Sequence, residues 1–474
     1  MHKSLWNDLE VILTVNGKNL GLGRWNASGI SIDSRKSLKG DIFVALKGEK
    51  FDGHRFINDA FKRGAIAAII EEFPTKINNN KAYIKVQNTY EALDKLAILG
   101  RERSNCKLIG ITGSIGKTTT KDYLFSIIND FSNCHASKFN YNNRIGVPLS
   151  LSQIPRECNY VVQEMGMSHF NEIAKLSEIS KPDLAIITSI GGSHLENFEN
   201  IEEIAIAKSE IFKHMSKDGV AILPSDSKYK GILISEAKNS GIENILFFGK
   251  SKSSDARLIS INVKLNYIEI KADLMGKIIN IRISGHLPHN SQNALAAILA
   301  AKSLGIENLK FFNNIFKVPM LEGRGKLKKI NLNNNESFSI IDDCYNASSE
   351  SMISSIQSLK FFKNHNHVLI LGDMLELGDF SSSEHNKLIP VIESLKPRLF
   401  ISIGKEILNI SKKLNLNCHK IHFPNSTSAL KRIPSLVEHK DVILIKGSNG
   451  LNLKKIVLGL KNIKSLDHGE SHAA

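Results

Sequence analysis

Cysteine is scarce and dispersed. Cys106, Cys134, Cys158, Cys344 and Cys418 are scattered along a 474-residue chain, so neither a disulfide framework nor a Cys-x-x-Cys metal or redox centre is expected, and all five read as reduced thiols. Long apolar runs are missing too: no stretch reaches the ~20 apolar residues that span a bilayer, and the opening MHKSLWNDLEVIL lacks a signal-peptide core. The expected address is the cytoplasm, without membrane insertion. Aromatics make up only 7% of the chain and do not interleave with basic clusters, so the signature of a nucleic-acid binder is absent. Acidic residues are in deficit, 47 against 62 basic, for a net charge of +15. The basic residues are spread out, with no block of five or six, and the sign alone fits an acidic small substrate, a membrane surface or a compositional bias towards Lys, Asn and Ile.

What is present is an ordinary globular composition, 42% hydrophobic, in a chain long enough for about three domains at roughly 150 residues each. The expected division is 1–106, 107–320 and 321–474. The first segment mixes the strand-like runs DIFVAL, AIAAII and AYIKV with a helix over Tyr90 to Arg103. From Lys107 the runs KLIGIT, NYVVQE, DLAIIT, VAIL and ILFF alternate with helix-period segments, which predicts a parallel sheet with crossover helices. Between Ala256 and Ser284 the period drops to two, predicting a small antiparallel insertion, followed by a helix over His289 to Ser303. SIIDD, HVLILGD, LFISIG and DVILIKG then restart the alternation in a Rossmann-like C-terminal unit. LNNNES near Asn333 reads as a hairpin turn and SLDHGESHAA as a frayed tail. The fold class is therefore α/β with three domains.

The sharpest local signal is ITGSIGKTTTKDYLFSIINDF, which follows a strand directly and enters a helix with Leu124, Ile127, Ile128 and Phe131 on one face. Strand, glycine turn and helix in that order make a phosphate cradle. Gly113 and Gly116 let the backbone around Ser114 curl so that N–H groups meet phosphate oxygens. Lys117 would face the β- and γ-phosphates, and Thr118, followed by Thr119, would offer a hydroxyl to Mg2+. The strict GxxxxGK[ST] pattern needs glycine where the chain has Ile111, so the loop is a GSxGKTT variant. Mg2+ also requires oxygen from a neighbouring strand end, and Glu164, closing NYVVQE, is placed for that. Taken alone, His194 reads as a solvated loop histidine and Lys208, beside the stripe Ile204, Ala207 and Ile211, as a surface lysine.

Together the motifs resemble the Mur ligase family over nearly the whole chain. SIDSRKSLKGDIFVALKGEKFDGHRFI is similar to a uridine-nucleotide domain, TGSIGKTTTK to the family's phosphate loop, FNYNNRIGVPLSL to the NxNNxIGVP stretch of the member that adds a D-alanyl-D-alanine dipeptide, and DDCYNA and LGDMLELGD to C-terminal signatures. The resemblance implies ATP, two Mg2+ ions and a carbamylated Lys208 that holds the second ion with His194. A carbamate converts a cation into an anionic oxygen ligand, and forming it needs a neutral amine, which burial near cations supplies. It places His289 and Asn293, in HNSQNALAA, on the adenine side, and Arg324 with Asp343 and Asn346 where the C-terminal domain closes over the phosphates and ribose. Ser34, Arg35, Asp52, Gly53 and His54 match the uridine-nucleotide segment, with Arg35 the candidate for its pyrophosphate. Asn142 and Asn143 match the substrate-side NNRIGVP stretch. A monomer is implied.

Three departures stand out: Ser348 and Ser349 replace Asn and Pro after DDCYNA, Asn449 replaces an arginine in KGSN, and Ser189 stands where the family often has Asn. The activity implied is amide formation, in which the terminal carboxylate of UDP-N-acetylmuramoyl-tripeptide attacks ATP and the amine of D-alanyl-D-alanine displaces phosphate from the resulting acyl phosphate. The alternatives are the related ligase adding the third peptide residue, a folylpolyglutamate synthase, and, from another class, a phosphate-loop protein that binds nucleic acid. NNRIGVP and DDCYNA speak against the first two, and no RNA-binding signature supports the third.

Overall fold

The apolar runs of the middle region do not alternate with polar residues, and burial on both faces is the reason. A computed structural model describes residues 4–463 apart from 50, 139, 265 and 333–335. In it these runs form the strands Lys107–Thr112, Tyr160–Glu164, Leu184–Ile187 and Val220–Pro224, almost entirely buried. With Cys134–Ala136 and Asn244–Gly249 they pair in parallel, in the order 134–136, 160–164, 107–112, 184–187, 220–224 and 244–249. The expected antiparallel insertion continues this sheet. Ala256–Val263 pairs parallel to Asn244–Gly249, and Tyr267–Leu274 and Lys277–Ser284 follow antiparallel, giving nine strands. Ile268, Ile270, Ala272, Ile279, Ile281 and Ile283 turn inward at every second position and share one core with helix Asn290–Ser303.

The first region is a five-stranded sheet in the order 18–21, 82–85, 67–70, 41–44 and 29–31, and the last a six-stranded sheet in the order 326–331, 337–342, 441–446, 366–372, 399–403 and 419–423. Lys18–Gly21, Gly29–Ser31, Cys134–Ala136, Lys326–Asn331 and His419–Phe423 carry no apolar run that announces them, and all five lie at sheet edges, where strands are kept short or polar. The helix expected over Tyr90 to Arg103 runs Thr89–Glu102, because Asn88 caps it by accepting the Tyr90 and Glu91 N–H groups. The turn at Asn333 and the tail after 463 lie outside the described residues; on either side of that turn, Lys326–Asn331 and Ser337–Asp342 pair antiparallel. Among the described residues no helix is long and apolar enough to cross a membrane.

The three parts are joined by packing as well as by the chain. Leu149, in the NNRIGVPLSL stretch, is buried in the core of the first sheet, with Tyr141 and Ile145 packed against it. Trp6 is wholly buried, donates its indole N–H to the Ser152 carbonyl at 3.0 Å and lies 3.8 Å beneath the Arg103 guanidinium. Trp6→Ala should therefore cost about 3–5 kcal/mol, as large aromatic truncations in cores do, seen as a lowered midpoint in thermal unfolding with the phosphate loop unaltered. Leu195 of the central part and Met374 and Leu377 of the last part belong to one continuous apolar cluster, which docks the third domain on the second.

Candidate active site

In an open parallel sheet, ligands gather at the carboxyl ends of the strands. Three adjacent strands end here together, 107–112 in the middle, 160–164 and 184–187 on its flanks. The turn after Thr112 is held open for its work by two glycines. Gly113 has φ of +144° and a Cβ there would fall 2.0 Å from Thr188 Oγ1; Gly116 has φ of +90° and a Cβ would fall 2.3 Å from Asn293 Oδ1. Asn293 is thus packed directly on the phosphate loop. The Ser114 N–H donates to the Ser189 carbonyl and its hydroxyl to the Gly191 carbonyl, both at 2.9 Å, while Ser189 Oγ accepts the Ile115 N–H. Ser114 therefore shapes the loop, Ser189 braces it although the family often has Asn there, and the first turn of helix Lys117–Asn129 begins directly after Gly116.

Lys117 donates to the Gly113 carbonyl at 2.5 Å; burial lowers its pKa, with Glu164 opposing and Arg324 adding to the effect. Glu164 is buried and accepts the Thr118 hydroxyl at 2.7 Å and the Asn142 side-chain amide at 2.8 Å. Thr118, Glu164 and Asn142 thus form one constellation. Asn143 does not join it, because its Oδ1 accepts the Ile145 and Gly146 N–H groups and caps the following helix. Lys208 is not a surface lysine. It is 1% exposed and has no hydrogen-bond or ion-pair partner among the described residues, and burial first, then the Lys117 charge, depress its pKa well below the usual lysine range. His194 is held below the ordinary histidine range by burial, with Lys208 and Lys117 acting in the same direction against Glu376; its Nδ1 lies 2.6 Å from Glu376 Oε2. Glu376 lies in the LGDMLELGD segment, and its part depends on the docking of the third domain.

A second group gathers behind Asn293. His289 is half-buried, its Nδ1 lies 2.8 Å from Ser354 Oγ, and desolvation pushes its pKa down to about 4, so the ring is neutral at pH 7. Asp343 accepts the Ser355 hydroxyl at 2.6 Å and pairs with the buried Lys446 at 2.8 Å. Lys446, the last residue of the strand DVILIK, shows the same signal that marked Glu164, an ionisable residue closing an apolar strand, and the sequence reading passed over it. Asn346 is exposed, its side chain accepts the Ala347 N–H, and its carbonyl accepts the Lys446 ammonium at 3.0 Å. Of the two replacements, Ser348 builds a capping box, Ser348 and Ser351 each accepting the other's N–H, while Ser349 donates its hydroxyl to the Glu384 carboxylate. Asn449 is exposed. Arg324 stacks on Tyr345, 4.0 Å from its ring centre, and lines a small cavity with Thr119 and Asn290.

In the first domain Arg35 projects into solvent, its guanidinium forked onto Asp33 at 2.9 and 3.0 Å. His54 lies with Nδ1 2.7 Å from Asp52 and accepts the Glu71 N–H at Nε2, and a Cβ at Gly53 would meet the Leu46 carbonyl at 2.7 Å. Asp52, Gly53 and His54 therefore maintain a loop, and Ser34 is buried. Their hydrogen bonds stay within the first domain. Among the described residues no group of three or more His, Cys, Asp or Glu side chains converges on a metal position.

Comparison with known proteins agrees with this arrangement part by part. Three family models match in chain order, "Mur ligase family, catalytic domain" over residues 26–101, "Mur ligase middle domain" over 111–301 and "Mur ligase, glutamate ligase domain" over 328–449. A UDP-N-acetylmuramoyl-tripeptide--D-alanyl-D-alanine ligase of Rickettsia prowazekii is 36% identical over 432 residues, 91% of this chain and 95% of its own. The enzyme of that name from Bacillus subtilis is 33% identical over 91% of this chain and 93% of its own. MurF from Acinetobacter baumannii superposes with a TM-score of 0.84 at 29% identity, covering 97% of this chain and 99% of that one, and MurF from Thermotoga maritima in complex with ADP with 0.77 at 26% identity, covering 91% and 97%. A phosphate loop set among three joined α/β parts, each part matched in sequence by its own model, identifies the chain as a member of the Mur ligase family.

Proposed function

We propose that this chain is an ATP-dependent, ADP-forming ligase that joins D-alanyl-D-alanine to UDP-N-acetylmuramoyl-tripeptide in peptidoglycan precursor synthesis. It would act in the cytoplasm, as a monomer. The observation that carries the reading is the constellation of Lys117, Thr118 and Glu164 with a buried Lys208 beside it that has no partner among the described residues, in a chain whose relatives bear that name over nearly their full length.

The residues fit ATP and Mg2+. Thr118 and Glu164 offer oxygen where a helix N-terminus would face an anion, and Lys208, its pKa held well below the usual lysine range by burial and without a partner among the described residues, is suited to take up CO2; the carbamate would join His194 as a second oxygen-and-nitrogen position. Mg2+ bound there would neutralise charge on the phosphoryl oxygens. Lys117 swings from its own loop carbonyl to the β- and γ-phosphates and stabilises the charge that builds during transfer. Asn293 and the neutral His289 lie on the adenine side of the loop. Arg324 and Asp343 with Lys446 approach from the third domain, whose docking keeps water from the acyl phosphate until the dipeptide amine attacks.

Arg35 is the cation available to the uridine pyrophosphate, already oriented by Asp33. Arg35→Ala should raise KM for the uridine-linked substrate severalfold and leave KM for ATP unchanged in steady-state kinetics. The reading itself is tested by mass spectrometry of the product. ATP, Mg2+, the uridine-linked tripeptide and D-alanyl-D-alanine should yield the uridine-linked pentapeptide, with lysine- and diaminopimelate-containing tripeptides compared side by side. Addition of a single amino acid to the uridine-linked dipeptide instead would assign the chain to the preceding step.

A further inference from the structure

His194 and Glu376 belong to different domains, the loop after strand Leu184–Ile187 and the loop after strand Asn366–Gly372, yet His194 Nδ1 and Glu376 Oε2 stand 2.6 Å apart. A second bond holds the loops in register, the Glu196 N–H donating to the Glu376 carbonyl at 3.1 Å. Both residues occupy the left-handed region, each with φ of 62°, a conformation that side chains of this kind keep only where the surroundings impose it. Gly378 packs so closely on Glu196 that a Cβ would lie 3.2 Å from its Cα, and Gly191 makes room for Glu350, whose carboxylate would lie 2.8 Å from a Cβ there. Leu195 and Leu377 share one apolar cluster beside these contacts.

A neutral imidazole carries one ring proton. With a carboxylate against Nδ1, that proton sits on Nδ1 and Nε2 keeps its lone pair. Nε2 has no hydrogen-bond partner among the described residues, and Lys208 and Lys117 are the cations whose charge acts on the ring. We propose that Glu376 is a positioning residue that couples domain docking to the readiness of His194: only when the third domain is seated does its carboxylate fix the Nδ1–H form and leave Nε2 as an electron-pair donor towards the phosphoryl-transfer centre. Glu376 acts through the ring it orients. What Nε2 serves rests on the function proposed above; the tautomer does not.

The test combines nitrogen-15 histidine NMR on the full-length, ligand-free enzyme, with His194 assigned by the signal lost in His194→Gln, and steady-state kinetics. The wild type should show His194 as the Nδ1–H form, and Glu376→Ala should move it to the Nε2–H form that free imidazole side chains prefer. Glu376→Ala should lower kcat about 10–100-fold, the usual effect of losing a residue that orients a ligand, with KM for the uridine-linked substrate unchanged. Glu376→Gln, which keeps an acceptor oxygen at the same reach, should recover most of that kcat. An Nε2–H ring in the wild type, wild-type turnover in Glu376→Ala, or equal losses in both variants without a change of tautomer would each overturn the proposal. The expected tautomers in a wild type that performs no ATP-dependent ligation would leave the positioning of His194 standing and sink the functional reading instead.

Discussion

Lys117→Ala should abolish ligation while leaving the folded protein intact. The phosphate loop keeps its shape without the side chain, because Ser114, Ser189 and Thr188 tie it to the neighbouring strand end. The substitution also removes a cation whose charge is disfavoured by burial, so thermal stability should hold or rise. What is lost is a fixed positive charge placed where negative charge develops, and such preorganised groups contribute about 10²–10³-fold each to turnover. Turnover near that of the wild type in the purified variant would show that the GSIGKTT turn does not hold the reacting phosphates.

Lys208→Ala should inactivate for a different reason. A lysine that is 1% exposed and unpaired is a poor structural choice, since burial of an uncompensated ammonium is costly. The cost falls if the amine is neutral, and the direction of its pKa says that it readily is. A neutral amine can add CO2, and the carbamate restores at this position a charge of the opposite sign. Enzyme stripped of CO2 should lose most of its rate and regain it with bicarbonate, and a short carboxylate should partly restore Lys208→Ala. The pH dependence has a definite sign: acid protonates the amine as pH falls through its depressed pKa and discharges the carbamate, so activity should fail on the acid side and recover on return. An unchanged rate after CO2 depletion, together with an active Lys208→Ala, would remove the carbamate from the account.

These two lysines also show what the sequence could and could not tell. Lys117 was legible because its chemistry is local: two glycines, a strand before and a helix after. Glu164 was legible because a carboxylate closing an apolar strand needs an explanation, and Lys446 carries that signal at the end of DVILIK. Lys208 was not legible from its own surroundings, where periodicity places it beside an apolar stripe; only the resemblance gave it a role, and only the packing of the central domain shows it buried. Edge strands such as His419–Phe423 were missed because polarity is what protects an edge. Around Asp52, Gly53 and His54 the structure shows local bonds the sequence does not announce, His54 lying between the Asp52 carboxylate and the Glu71 N–H. Glu376 stands inside the LGDMLELGD segment, but its pairing with His194 could not be read there, since that partner lies about 180 residues away in the chain.

The central claim is that this site activates the tripeptide's terminal carboxylate for attack by a dipeptide amine, and oxygen transfer tests it most directly. With that carboxylate labelled with oxygen-18, the phosphate released from ATP should carry one label, because the carboxylate oxygen bonded to phosphorus leaves with it, and the release should depend on D-alanyl-D-alanine. Unlabelled phosphate released at a rate indifferent to the dipeptide, or stimulated by RNA in its place, would contradict the account.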